Sequence, residues 1–148
     1  MADGGPRPSI RSVLFDTAGL VAGETADPAR QLAWFTPDRD GIALFFFDRP
    51  PDIPPAGTRT ELVEAMTRPG SHVELDVVTV GGIRSLRQIA RFPQQPSGLT
   101  YLGSLIVPFR SLSYVLKVQC PERGSTGWRE AVLLNDRLVA GFRPTTGP

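Results

Sequence analysis

The side chains that most often carry catalysis occur once each in this chain, as Cys120 and His72. A thiol beside an imidazole base is the pair that cysteine nucleophiles use. Cys120 falls on the apolar side of an alternating segment, where an inert buried cysteine is the common case. His72 is interpreted as a solvated residue at the start of a strand, and the two together fall short of a tetrahedral zinc site. We therefore expect no catalytic residue, no metal and no cofactor.

Two carboxylates, Glu74 and Asp76, are spaced to point to the same side of a strand. Such a pair can do acid–base chemistry. The alternative is a charged outer face, paired across a hairpin with Arg84, Arg87 or Arg91. Glycine-rich phosphate-binding motifs are absent from the sequence.

Two features favour binding to another protein. Arg87, Arg91 and Lys117 are predicted to form a basic stripe on the polar face of a sheet, which would hold an acidic segment of a partner. The alternative is a solvated face balanced by the two carboxylates. Trp34, beside a hairpin loop, is of the type that anchors interfaces, although core packing also explains it. The predicted partner-binding residues are thus Trp34, Arg87, Arg91 and Lys117.

The elements that position these residues centre on a predicted meander of four antiparallel strands over residues 72–120. Its last strand alternates, with one apolar face that comprises Leu112, Tyr114, Leu116, Val118 and Cys120. Gly81 and Gly82 supply the positive φ angles that a two-residue hairpin turn requires. Residues 83–93 have apolar side chains at helical spacing, but the short space between turns favours a strand.

A further hairpin is predicted over residues 31–47, with a turn at Asp40-Gly41. Its second strand, IALFFF, is apolar on both faces, as are residues 105–107, and such strands need cover on both sides. Helices are predicted at 58–67 and from 125–126 onward. The second helix either continues to Gly141 or breaks at Asn135-Asp136, leaving a closing strand over 137–142. The predicted fold is α+β, a curved antiparallel sheet of about six strands with helices covering both faces.

Length and composition set the outer bounds. The 148 residues predict one domain over 10–142, a disordered segment at 1–9 and a tail at 143–148; residues 10–22 could be a strand or a short helix. Sixteen basic and fifteen acidic residues argue against a nucleic-acid or membrane partner. A single cysteine and no apolar leader favour the reducing cytoplasm. The excess of arginine over lysine is typical of a GC-rich, actinobacterial genome.

The order hairpin, helix, four-strand meander, helix resembles the PsbP-like α/β/α sandwich group. That resemblance implies a curved antiparallel sheet with a helix on each side. It also implies a binding or adaptor module, since known members are mostly non-enzymatic: extrinsic photosystem subunits, a Ran-binding import factor, lipoproteins and chaperones of secreted effectors. It transfers no functional residues, because the group has no common active site. The resemblance spans residues 33–134 and is carried by 42–54, 58–67, 78–93, 101–122 and 124–132.

Two functions follow from the sequence. The favoured one is a non-enzymatic protein-interaction module, a small cytosolic adaptor or chaperone-like protein that binds a partner, or a second copy of itself, through a sheet face or edge. The alternative is a small-ligand-binding protein or an unrecognised hydrolase, with a pocket between the sheet and a covering helix. We expect that pocket to be lined by Tyr101, Tyr114 and Trp128.

Overall fold

The computed structural model describes residues 8–51, 72–93, 98–122 and 127–144. Nearly all of its regular structure is β-sheet. The strands are β1 (Val13–Leu14), β2 (Val21–Ala22), β3 (Gln31–Phe35), β4 (Gly41–Phe47), β5 (His72–Val80), β6 (Ile83–Pro93), β7 (Leu99–Pro108), β8 (Ser113–Pro121) and β9 (Arg143–Pro144). A 3-10 turn, Ile10–Ser12, precedes β1, and the α-helix α1 spans Gly127–Gly141.

Seven strands form one antiparallel sheet in the order β2-β3-β4-β8-β7-β6-β5. The predicted four-strand meander is confirmed as β5 to β8. Gly81 and Gly82 have φ angles of 55° and 81°, as a two-residue hairpin turn demands. The segment with helical spacing, β6, is a strand, because the glycine turn that precedes it returns the chain directly alongside β5.

The predicted hairpin over residues 31–47 is also confirmed, with a small change in its loop. Residue Arg39 has the left-handed conformation, with φ 68°, while Gly41 is already the first residue of β4. The Thr36 N–H donates to the Asp40 carbonyl at 3.0 Å and closes the loop. The turn is therefore one residue earlier than predicted. The hairpin then continues the sheet, because β4 pairs with β8 along its whole length.

One face of the sheet, which we call the helix face, carries the main core. Its central side chains are almost fully buried: Leu44, Leu105, Val107, Tyr114, Leu116 and Val118. The helix α1 packs against β7 and β8 on this face. Of the two alternatives for this segment, the helix that continues to Gly141 is observed, and the break at Asn135-Asp136 with a strand over 137–142 is not; a short strand, β9, follows the helix instead. The Asp136 carboxylate binds Arg87 of β6, which gives this residue a partner without ending the helix.

The N-terminal segment lies beside α1 on the helix face. Ile10 and Val13 belong to the core, and β1 pairs with β9 in a separate two-stranded sheet. Of the two alternatives for residues 10–22, a 3-10 turn followed by short strands is observed. Ser9 caps this turn, so Ser9 and Arg143–Pro144 take part in the fold although the prediction placed them in flanking segments.

The predicted α/β/α sandwich is wrong for the part of the chain that the structure describes. That part has seven strands in its main sheet and one α-helix, on one face. The predicted helix at 58–67 and the predicted start of α1 at 125–126 lie outside the described residues. Along β4 every second residue is buried on the helix face, whereas Ala43, Phe45 and Phe47 on the other face are half-buried. The Phe45 and Phe47 rings are partly covered by the neighbouring side chains of Lys117 and Arg49, and no described helix lies over them.

Candidate binding groove

The face of the sheet opposite α1 carries a broad groove of about 530 Å³, which we call the groove face. Four adjacent strands, β4, β8, β7 and β6, provide its lining. The lining residues are Phe45, Phe47, Gln88, Ala90, Phe92, Leu102, Ser104, Ile106, Val115 and Lys117. Antiparallel register explains why they meet: Lys117 pairs with Ser104, and Ser104 pairs with Gln88, so these side chains lie in one row across the strands. The result is a surface on which apolar and aromatic side chains alternate with the polar Gln88 and Ser104 and the charged Lys117.

Two cations cover the aromatic rings at one end of the groove. Phe45 and Phe47 stack with their centroids 6.3 Å apart. The Lys117 ammonium lies 5.4 Å from the centroid of Phe45, and the Arg49 guanidinium carbon lies 5.7 Å from that of Phe47. Such cation–π contacts stabilise half-exposed rings while the charges stay in water. This is how β4 keeps apolar residues on both faces.

The groove continues toward β3 as a smaller depression of about 260 Å³. Phe45, Leu102 and Lys117 line both parts, so Lys117 stands where the two meet. Phe35, at the far end, has 46% of its surface exposed, and Phe92, at the other end, has 38%. Partly exposed aromatic rings thus lie at both ends of the groove and its extension.

Lys117 is the single ionisable side chain among the residues that line the groove and its extension. No carboxylate of the described residues forms an ion pair with it. The described groove lining therefore carries one positive charge, Lys117, and no negative charge, and the Arg49 guanidinium lies beside it over Phe47. Its neutral polar groups are amides and hydroxyls, which can both donate and accept hydrogen bonds.

The predicted basic stripe is not formed. Register places Arg87 and Arg91 on the helix face and Lys117 on the groove face. Arg87 is 6% exposed and is held by Glu74 at 3.0 Å and by Asp76 at 3.4 Å. The predicted pairing of these carboxylates with an arginine across the hairpin is thus confirmed. Arg91 is exposed at the end of β6.

Trp34 contributes to the core more than to an exposed rim. Its ring packs edge-on against Phe15 with the centroids 5.0 Å apart, and it is half-buried. Phe15 in turn stacks on Phe142, 6.4 Å away, at the end of α1. Core packing, the alternative considered for this residue, accounts for its position. A partner-binding role for Trp34 and Arg91 stays a prediction.

Cys120 and His72 do not form a dyad. Cys120 is fully buried on β8, whereas His72 begins β5, and β6 and β7 lie between them. Three strand spacings separate these residues by roughly 14 Å. No group of three or more histidine, cysteine, aspartate or glutamate side chains in the described ranges could hold a metal ion.

In the described part of the chain α1 packs closely against the sheet, so no space for the predicted pocket is found beneath this helix. At Gly103 the helix lies so near that an added Cβ would stand 2.8 Å from the Asn135 amide nitrogen. Tyr114 is fully buried and donates a hydrogen bond from its hydroxyl to the Ser9 carbonyl at 2.9 Å. This burial raises the pKa of Tyr114 above its usual value, and a hydrogen bond with Ser12 opposes the rise. The side chain of Trp128 lies outside the described part of the chain.

Sequence reasoning missed most of the groove residues, in particular Phe47, Phe92 and Ile106. Phe47 and Ile106 belong to the runs that are apolar on both faces of β4 and β7, whereas Phe92 of β6 lies in neither run. We expected these runs to be covered by a helix. The same pattern also fits an apolar groove, and sequence alone does not separate the two because covering elements come from distant parts of the chain.

Comparison with known proteins shows a shared fold. No family model matches the chain, and no curated protein matches its sequence. Among solved structures, it is similar to LpqN, described as involved in cell envelope biogenesis of Mycobacterium tuberculosis. That match has 13% identity and a TM-score of 0.54, and it covers 95% of this chain and 86% of LpqN.

A crystal structure from Bacteroides thetaiotaomicron VPI-5482 is also similar, with 14% identity and a TM-score of 0.53. The match covers 87% of this chain and 43% of that one, so our chain spans less than half of the Bacteroides protein. Neither match supports the PsbP-like grouping, which also conflicts with a sheet that has one helix in its described part. In that part, no helix has the length and apolar character needed to cross a membrane.

Proposed function

We propose that this protein is a non-enzymatic binding module that holds a segment of a protein partner on its groove face. The observation that supports this function best is the groove itself, which has a volume of about 530 Å³, a lining of apolar, aromatic and polar side chains, and the exposed Phe92 at one end. Large exposed apolar patches on sheet faces are typical of sites where proteins bind.

The absence of reactive groups in the groove lining supports a non-catalytic role. Acid–base and nucleophilic catalysis commonly use a reactive group together with an activating neighbour within hydrogen-bond reach. Lys117 has no ionisable neighbour among the lining residues, and Cys120 is buried on the opposite face. The similarity to LpqN concerns the fold alone and does not identify a partner.

The proposal is tested by selecting displayed random peptides on the wild-type protein and mapping where they bind. We expect the selected peptides to lose about tenfold in affinity when Phe92 is replaced by serine, because an aromatic anchor is removed from the groove. The control is Leu133→Ser, since Leu133 is 59% exposed on α1, away from the groove. This control should bind as the wild type does.

Chemical-shift mapping by NMR gives an independent readout. Binding should move the backbone signals of Phe45, Ser104 and Val115 more than those of α1. Peptides that bind equally well to both serine variants, or that shift signals on the helix face, would show that the groove is not the binding surface.

A second candidate is a small amphiphilic ligand. The groove volume lies within the roughly 300–1,000 Å³ range of small-molecule sites, and Lys117 supplies a cation beside aromatic rings. We assign this candidate site to the groove face, whereas the sequence analysis placed it beneath a covering helix. Saturable binding of an anionic aromatic dye, competed by the selected peptides, would indicate that both use this surface.

A further inference from the structure

We infer that the occupant of the groove is an extended peptide segment in which one acidic side chain, flanked by apolar ones, binds Lys117. This inference rests on the proposed function and adds the chemistry of the partner. It uses three properties of the groove: its charge, its polar groups and its extent.

Lys117 is the charged side chain in the groove lining. Its ammonium lies 5.4 Å above the Phe45 ring and has no carboxylate partner among the described residues. The side chain is half-buried at the junction of the two parts of the groove. An occupant that covers Lys117 removes water from its charge, which is unfavourable unless the occupant brings an anion. A basic or wholly neutral occupant would leave this charge uncompensated.

The polar groups indicate a peptide rather than a hydrocarbon chain. Gln88 and Ser104 lie in a row with Lys117 across β6, β7 and β8. In the adjoining part, Gln31 and Gln119 lie at the edge of the apolar surface. Main-chain N–H and C=O groups of a bound peptide need such hydrogen-bond partners when they leave water. A lipid tail would cover these amides without satisfying them.

The extent of the groove fits a short extended segment. From β4 to β6 the lining crosses three strand spacings, roughly 14 Å, which matches about four residues of extended chain. Phe92 at one end and Phe47 at the other give apolar contacts for side chains that flank the acidic one. A segment of this size places a single acidic residue near Lys117.

The experiment selects short random peptides, displayed on phage, in parallel on the wild-type protein and on Lys117→Glu. We expect the wild type to enrich peptides with one glutamate or aspartate between apolar residues. On Lys117→Glu, we expect lysine or arginine at that position instead. For a synthetic wild-type peptide, changing its acidic residue to the neutral amide should weaken binding about five- to tenfold. Lys117→Met should abolish that difference.

The outcomes separate this inference from the proposed function. Apolar peptides that bind the groove without charge preference would overturn the acidic partner and leave the binding module standing. An acidic preference that persists in Lys117→Met would do the same. Peptides whose binding is insensitive to Phe92→Ser would overturn both proposals. Circular dichroism and thermal unfolding of each variant confirm that the protein is folded, since Lys117 is half-exposed and its loss should not disturb the core.

Discussion

Arg87 is the residue at which three elements of this protein meet. It extends from β6, and its guanidinium contacts Glu74 and Asp76 of β5 and Asp136 of α1, the last at 2.6 Å. The three carboxylates remain partly in water, while the Arg87 side chain is only 8% exposed. The buried Arg87 guanidinium thereby connects α1 to the edge strand β5. The carboxylates keep part of their hydration, so the cost of burying negative charge is small.

We expect Arg87→Met to lower the free energy of unfolding by about 1–3 kcal/mol, because charge-assisted hydrogen bonds in a buried setting contribute on that scale. The matched control is Arg30→Met. Arg30 pairs with Asp48 at 2.9 Å, but both side chains are more than half exposed. Its loss should change stability by less than about 1 kcal/mol. Urea denaturation of both variants decides the matter, and equal losses would contradict the role given to burial.

Tyr114 predicts an alkaline limit to stability. Burial raises the pKa of its hydroxyl, so the folded protein resists an ionisation that the unfolded chain undergoes near pH 10. The stabilisation is complete below the unfolded pKa and is lost as the pH rises toward the folded one. We therefore expect Tyr114→Phe to flatten the fall in unfolding free energy between about pH 9 and 11. Tyr101→Phe is the control for loss of a tyrosine hydroxyl. If the free energy of unfolding of Tyr114→Phe fell as steeply with pH as that of the wild type, the prediction would be refuted.

At the scale of elements, the contact between α1 and β7 fixes how the helix is seated. Gly103 has no side chain where Asn135 approaches. A Cβ added at Gly103 would lie 3.1 Å from the Cγ of Asn135 and 3.2 Å from the Cβ of Asn135. The Asn135 Cβ is part of the helix frame and cannot rotate away. The glycine is therefore a condition for the helix to lie at its present distance from the sheet.

We expect Gly103→Ala to lower the free energy of unfolding by about 1–3 kcal/mol, since the helix must shift to admit a methyl group. Gly41→Ala is the control, because this strand glycine has its nearest neighbour, the Gln119 Cβ, at 4.0 Å. It should be neutral within about 0.5 kcal/mol. Thermal or chemical denaturation of the two variants tests this, and a neutral Gly103→Ala would mean that the helix is loosely seated.

The sequence predicted the local elements well and their covering poorly. Strand alternation in β8 and the Gly81-Gly82 turn are properties of neighbouring residues, so both hairpins and the meander were found. The cover over each face is a property of the whole chain. The doubly apolar β4 and β7 were compatible with a helix or with an open groove, and the pattern contained nothing to choose between them. Lys117 was placed correctly, on the face opposite Tyr114 and Leu116. Arg87 and Arg91 were assigned to the wrong face, because the register of β6 pairs them with Leu105 and Tyr101 on the helix face.

At the scale of the molecule, the two faces of the sheet differ in how they are covered. The helix face is filled by α1 and the N-terminal segment, and it supplies the core. The groove face keeps half-buried rings under two cations, and it is the face on which we propose that a partner binds. An antiparallel sheet can be packed on one side and solvated on the other. Here Lys117 and Gln88 provide polar groups on the solvated side.

The small pairing of β1 with β9 has a consequence for how the chain assembles. Val13 lies opposite Pro144, so this contact joins segments near the two extremes of the described sequence. Loops that long close slowly compared with hairpins such as β5–β6. We therefore expect the β1–β9 pairing to form last during folding and to open first during unfolding. The backbone amide of Leu14 should then exchange its hydrogen faster than the amides of the central strands.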